Sequence, residues 1–230
     1  APPSDARDHL FLSDGTAIGT IDVAVGCDAA GSCGIRDLGT MGGVAYFVVS
    51  DSGGTSLWRT DGTVPGTAEI EAFDCASGCE MRTFGVSEAR LYFLKGSPGV
   101  SPALWVTDGF AAGTFEVLAP GPIDPSGVTG AGSVALPGNR LVFAAHDVES
   151  GFEPWISDGT PSGTHVIVNL STASDPSQPK RFSANGDRVL FSAQESVHGP
   201  EPWVSGGNAG NTAMVADIRP GLLGSDPLPF

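Results

Sequence analysis

One eleven-residue stretch, Leu57-Trp58-Arg59-Thr60-Asp61-Gly62-Thr63-Val64-Pro65-Gly66-Thr67, recurs along the chain and limits what it can fold into. It returns at Leu104–Thr114 and at Pro154–Thr164, with worn copies at Leu10–Thr20 and Pro202–Thr212. The motif aspartate stands at Asp14, Asp61, Asp108 and Asp158, and Gly206 takes the fifth slot, so successive intervals are 47, 47, 50 and 48. A fixed period of this length marks a chain built from one supersecondary unit that stacks on its own copies.

A second column fixes the content of the unit. Phe47, Phe93, Phe143 and Phe191 each precede the motif aromatic by 11 or 12 residues. Each sits in a β-branched or aromatic run, three of them just after a glycine turn (Gly42-Gly43, Gly138-Asn139, Gly186-Asp187), which is a strand signal. The motif aromatic lies in a second strand. A third follows the Gly-Thr end of the motif, and a fourth carries Leu38, Phe84, Val134, Phe182 and Phe230. No stretch shows a sustained helical period with caps.

Four short antiparallel strands per unit of ~47 residues is the size of a propeller blade. The fold class expected is therefore all-β, a five-bladed β-propeller forming a single domain over residues 1–230. Its units run at about 1–40, 41–87, 88–136, 137–184 and 185–230. The Phe strand occurs four times, and the Trp strand and the fourth strand five, so one blade is expected to be incomplete at the chain ends, with the defect at the seam of a closed ring.

The glycines (33) and prolines (18) fall between the apolar runs and read as turns. The formal charge of −15 repels a phosphate backbone and argues against nucleic acid and anionic membranes. No apolar run approaches the ~20 residues of a spanning helix, so membrane insertion is not expected. The opening Ala1-Pro2-Pro3 carries no signal-peptide pattern, and reads as a mature end left by cleavage or as an arbitrary boundary.

Cys27 and Cys33, and again Cys75 and Cys79, lie in the same loop of successive units, after the third strand. Two local disulfides, Cys27–Cys33 and Cys75–Cys79, are the economical reading and imply an oxidising, extracellular or cell-surface location. A four-thiolate zinc site is the alternative, although the spacings are not those of zinc knuckles.

The Asp-Gly-Thr core is a turn by its chemistry. Glycine accepts positive φ, and the carboxylate accepts hydrogen bonds from amides two residues on. Asp14, Asp61, Asp108 and Asp158 are thus structural, or alternatively a set of Ca²⁺ sites with one carboxylate each, few for a hard cation. No other cofactor is implied. Trp58, Trp105, Trp155 and Trp203 hold one phase in every unit, which suits packing between blades, or else repeated stacking platforms for sugars.

The unit resembles the ELWxxDGTxxGT repeat of bacterial secreted and surface proteins. Trp-Arg-Thr-Asp-Gly-Thr and Trp-Ile-Ser-Asp-Gly-Thr match it well, and Asp217-Ile218-Arg219-Pro220-Gly221 matches the family's downstream Asp-Ile-x-Pro-Gly. The leading Glu survives only as Glu153 and Glu201; His9, Ser56 and Ala103 replace it elsewhere, and Pro154 and Pro202 replace Leu. The resemblance implies a propeller-like fold and no established catalytic residues. The turn is also similar to the Asp-box hairpin of sialidase propellers, a structural element there.

Catalysis needs groups that occur once. The four histidines form no His-Glu-x-x-His, and neither Gly-x-Ser-x-Gly nor a phosphate loop is present. The best repeat-breaking clusters are His146-Asp147-Val148-Glu149 and Glu195-Ser196-Val197-His198. Both fall between the Phe and Trp strands of successive units and are expected on one rim, near Glu153 and Glu201. The function expected is a secreted, non-enzymatic module that recognises glycans or proteins through blade loops, as a monomer or within a longer chain. Trp58, Trp105, Trp155, Trp203, His146, Glu149, His198 and Glu201 are its candidate ligand-binding residues. The alternatives are a glycoside-type hydrolase or its accessory domain, with a site in the central depression, and a structural module of a longer extracellular protein.

Overall fold

The computed structural model describes residues 8–23, 25, 33–75, 79–119, 132–147, 149–171 and 176–228. Among these, every regular element is a strand except two short 3-10 turns, Ala111–Gly113 and Ala209–Asn211. The chain opens with a two-stranded hairpin, β1 (Leu10–Leu12) and β2 (Ile21–Val23). Four four-stranded antiparallel sheets follow. Sheet I is β3 (Gly34–Met41), β4 (Val44–Asp51), β5 (Gly54–Thr60) and β6 (Ala68–Phe73). Sheet II is β7 (Glu80–Val86), β8 (Leu91–Gly96), β9 (Ala103–Thr107) and β10 (Phe115–Leu118). Sheet III is β11 (Ser133–Leu136), β12 (Arg140–Asp147), β13 (Gly151–Ser157) and β14 (His165–Val166). Sheet IV is β15 (Lys180–Asn185), β16 (Arg188–Ala193), β17 (Glu201–Ser205) and β18 (Thr212–Met214).

The two aromatic columns of the sequence are cross-strand partners. Phe47 pairs with Trp58, Phe93 with Trp105, Phe143 with Trp155, and Phe191 with Trp203. Directly opposed side chains on one sheet face are the unit of sheet stabilisation, which explains why the two columns keep a constant offset. Strands such as β12 bury consecutive residues (Leu141, Val142, Phe143, Ala144), because the middle sheets are covered on both faces.

Each sheet stacks on the next through one repeated interface. Leu10, Leu12 and Val23 of the hairpin pack on Phe47, Val49 and Trp58 of sheet I. Tyr46, Val48, Leu57 and Ile70 pack on Leu91, Phe93 and Trp105 of sheet II. Leu94, Leu104, Val106 and Val117 meet Leu141, Phe143 and Trp155 of sheet III. Val142, Ile156 and Ile167 meet Val189, Phe191 and Trp203 of sheet IV. Edge-on pairs such as Phe73–Trp105 (5.3 Å) and Phe84–Phe143 (5.1 Å) add about 0.5–1.5 kcal/mol each beyond area burial.

The first strands of the sheets lie side by side, β3 against β7, β7 against β11 and β11 against β15. The Thr83 hydroxyl donates to the Leu38 carbonyl, and the Ser133 hydroxyl to that of Phe84, 2.7 Å away, which ties neighbouring first strands together. The sheets fan outward from this line.

Two expectations change. The strand carrying Leu38, Phe84, Val134 or Phe182 opens a sheet rather than closing one, so each sheet is offset by one strand from the sequence unit. A covalent repeat and a hydrogen-bonded sheet need not share boundaries, and here the crossing from one sheet to the next precedes that strand. The closed ring is not found: among the described residues four interfaces join five units, and no sheet or apolar cluster joins β1–β2 to sheet IV. Phe230, expected in a further first strand, lies outside the described residues.

Candidate functional site

The up-and-down topology sorts the loops onto two faces. One face carries the turns between first and second strands together with the Asp-Gly-Thr loops between third and fourth. The other carries the turns between second and third strands and the crossings from one sheet to the next.

The Asp-Gly-Thr face is architecture. Asp61 Oδ1 accepts from the Thr63 amide (2.9 Å) and the Thr63 hydroxyl (2.7 Å). The Gly66 amide donates to Thr63 Oγ1, and the Thr67 hydroxyl donates to the Thr63 carbonyl. Asp14 and Asp158 repeat this network, while Asp108 keeps only the bond from the Phe110 amide because Phe110 has no hydroxyl. The hydroxyls of Thr16 and Thr63, and then their amides, hold the Asp14 and Asp61 carboxyls below the usual aspartate value. A Cβ on Gly66 would sit 1.9 Å from Asp61 Oδ1, so the glycine five residues on makes room for the carboxylate. In the last loop the roles are exchanged: Gly206 replaces the aspartate, and Asn211 replaces the glycine. Asn211 Oδ1 then accepts from the Gly206 and Asn208 amides at 3.2 and 3.0 Å. Each aspartate is the lone carboxylate of its loop, and among the described residues no three His, Cys, Asp or Glu groups gather to hold a metal.

The tryptophans face the preceding sheet. Trp155 and Trp203 are buried and Trp58 and Trp105 half-buried, inside the interfaces described above. Lys95 Nζ lies 4.6 Å over the Trp105 ring. Trp203 Nε1 donates to the Ala193 carbonyl, and Trp58 Nε1 to Ser56 Oγ.

The crossing face carries the residues that break the repeat. The Cys75–Cys79 disulfide closes the crossing from sheet I to sheet II, with Cα atoms 5.5 Å apart. Cys33 is disulfide-bonded; Cys27, expected as its partner, lies outside the described residues. In sheets III and IV the same crossings are held by buried carboxylates. Glu201 Oε2 accepts from Ser225 Oγ (2.5 Å) and the Ile218 amide (3.3 Å), and Oε1 accepts from the Arg219 amide (3.0 Å). Burial pushes this carboxyl up, but the Ser225 hydroxyl and the Arg219 and Ile218 amides outweigh it and hold the pKa low. Glu153 Oε2 accepts from Ser177 Oγ (2.6 Å) and the Leu170 amide (3.2 Å), and Oε1 has no hydrogen-bond partner among the described residues. Burial dominates here and raises the Glu153 pKa, against the pull of the Ser177 hydroxyl and Leu170 amide.

His198 Nδ1 lies 2.5 Å from Glu195 Oε1, and its Nε2 3.6 Å from Asp217 Oδ2. It joins the β16–β17 turn to the loop that Glu201 anchors. His146 and Glu149 are exposed at the β12–β13 turn, on the same face and one sheet away. Two hollows open on this face. One of about 410 Å³ is lined by Arg36, Asp51, Asp74 and the disulfide, and one of about 350 Å³ by Glu80, Arg82, Leu94 and Val100. Arg36 and Arg82 stand in the same register of adjacent first strands, opposite Val48 and Leu94, and both are exposed.

Sequence reasoning therefore placed His146, Glu149, His198 and Glu201 on one face, but missed the two arginines and the serine partners of the glutamates. Ser177 and Ser225 each follow their glutamate by 24 residues, which is the signal that could have found them.

No family model matches the chain, and no curated protein matches it in sequence. Among solved structures, one described as an analysis of two prolyl endopeptidases shares 9% identity at a TM-score of 0.45, over 79% of this chain and 26% of that one. A puromycin hydrolase S511A mutant complexed with PGG shares 13% identity at a TM-score of 0.44, over 88% of this chain and 31% of its own. A Mycobacterium tuberculosis puromycin-hydrolyzing peptidase shares 11% identity at 0.43, over 87% of this chain and 31% of its own. The chain spans about a third or less of each of these proteins, and likeness at this level says nothing of activity.

Proposed function

We propose that the chain is a propeller-type, secreted interaction module without catalysis of its own, which recognises a protein partner through the crossing face. The observation that carries this reading is the segregation of chemistry. The loops that repeat from sheet to sheet occupy one face and use their polar groups on themselves, whereas the residues that differ between sheets gather on the other. Loops that differ on a repeated scaffold are where recognition is housed. A disulfide on that face supports an extracellular setting. The tryptophans pack between sheets, which favours a protein partner over sugars stacked on repeated indoles.

The test uses two surface variants of the chain against a panel of candidate extracellular proteins and a glycan array. Arg36→Glu with Arg82→Glu changes the crossing face, and Val64→Glu changes the exposed second Asp-Gly-Thr loop. A protein ligand lost at least tenfold by the first and kept by the second supports the reading. A ligand lost only by Val64→Glu, or glycans as the sole ligands, overturns it.

A further inference from the structure

The stacking interface is built from the same two half-surfaces at every step. On one side stands the residue twelve after the motif aromatic. It is Val23, Ile70, Val117 and Ile167 in successive units, exposed by only 6, 8, 4 and 4%, because the next sheet covers each of them. In sheet IV the same position is Val215, exposed by 55%. Leu170 packs into the interface between sheets III and IV, and its counterpart 48 residues on, Ile218, is exposed by 61%. On the other side stands the motif aromatic, which faces the preceding unit. Trp58, Trp105, Trp155 and Trp203 are all covered to some degree, whereas Phe11 of the hairpin is 50% exposed. Among the described residues its ring is stacked against His9, 6.1 Å away.

We propose that these two surfaces dock head to tail between copies of this chain, the Val215 face of sheet IV receiving the Phe11 face of a second copy. The argument is continuity with an established interface. Each open surface is one half of a contact that the chain makes four times internally, and each copy carries both halves. A contact between two different patches is heterologous, so it leaves one free half at each end and can extend or close into a ring. The hairpin brings two strands instead of four. The contact is then smaller than the internal ones and belongs with transient encounters, which bury below about 1,200 Å². Two copies at −15 also repel, so the association strengthens as salt screens that charge.

Sedimentation velocity on the full chain tests this, with Phe11→Glu and Val215→Glu as probes at positions already half in water. The unaltered chain is expected to sediment faster with rising concentration between about 10 µM and 1 mM. It should do so more in 0.5 M than in 0.05 M salt. Each single variant should associate at least tenfold more weakly. An equimolar mixture of the two variants still holds one intact pair of half-surfaces, and is expected to form a dimer that grows no further. The proposal is overturned if the unaltered chain stays monomeric over this range, if a single variant associates as it does, or if the mixture stays monomeric. A monomer whose Val215 amide is strongly protected from hydrogen exchange would mean that the chain's own hairpin covers that face, and also overturns it.

Discussion

The first and last thirds of the molecule hold the same loop by different chemistry. After sheet I the crossing is closed covalently by Cys75–Cys79, and Ser56 stands where sheets III and IV have glutamate. After sheets III and IV no cysteine is present, and a buried carboxylate reaches back to the amides and a serine of the crossing. A disulfide acts on the unfolded chain and is indifferent to pH near neutrality. A buried carboxylate acts in the folded state and answers to every donor around it. The two solutions fix the same geometry but should fail under different stresses.

Glu201→Ala is the largest test of that contrast. It leaves the Ile218 and Arg219 amides and the Ser225 hydroxyl without their acceptor. Removing one partner of a buried charged network costs about 3–5 kcal/mol. For a chain of this size that is a fall in Tm of roughly 6–20 °C. Thermal and urea unfolding followed by circular dichroism would measure it. A loss under about 1 kcal/mol would mean that the crossing holds without its carboxylate.

The Asp-Gly-Thr loops make the same comparison at the other face. Gly66→Ala places a methyl on the Asp61 carboxylate, displaces it from Thr63, and is expected to cost about 2–3 kcal/mol. The last loop shows the remedy, with acceptor and glycine exchanged between positions 206 and 211. Asp61→Gly combined with Gly66→Asn should therefore recover most of the loss, a coupling of about 1–2 kcal/mol in a double-mutant cycle. Additive costs would refute the exchange.

That exchange also marks how far the sequence is legible. The strands and their order follow from short apolar runs set between turn glycines inside a period near 47, since both are set by local geometry. Gly206 reads as decay in the motif until the glycine five residues on is seen to have become Asn211. The glutamate–serine partnership is invisible to motif reading, because only two units carry it and its partners lie 24 residues apart. Closure of the ring is what the period suggests, but the period does not encode it. It depends on how much each sheet turns relative to the last, a sum over many packed side chains that no single residue encodes. The sheets differ from the sequence units by one strand for a related reason: a repeat has no intrinsic starting point, and hydrogen bonding sets its own.

Replacing Cys75 and Cys79 together by serine tests the covalent solution. The closed loop is short, with a sequence separation of 4, so the chain-entropy cost of losing it is about 2 kcal/mol. The loss should be the same at pH 5 and pH 8, in contrast to any change at the glutamates. Urea midpoints at the two pH values decide this, and a strongly pH-dependent loss would mean that the crossing also uses titrating groups.

Glu153→Gln carries the smallest expected effect and the sharpest sign. Glu153 and Glu201 occupy equivalent positions, yet burial raises one pKa while hydrogen bonds overcome burial at the other. A carboxyl whose folded pKa is raised contributes stability below its unfolded value, and that contribution is lost as pH climbs through the raised one. One whose folded pKa is lowered does the reverse, and loses its contribution as pH falls. At low pH Glu153 is protonated in both states, and Gln, which keeps an acceptor for Ser177 and Leu170, should match it to within about 0.5 kcal/mol. As pH rises above the ordinary glutamate value of 4.5, the unaltered chain must bury a charge that its hydrogen bonds do not fully offset, and the variant should become progressively the more stable. Urea unfolding of both proteins between pH 4 and pH 8 reads this difference directly. A gap that shrinks with rising pH would show that Glu153 is held like Glu201, and the contrast between the two would fall.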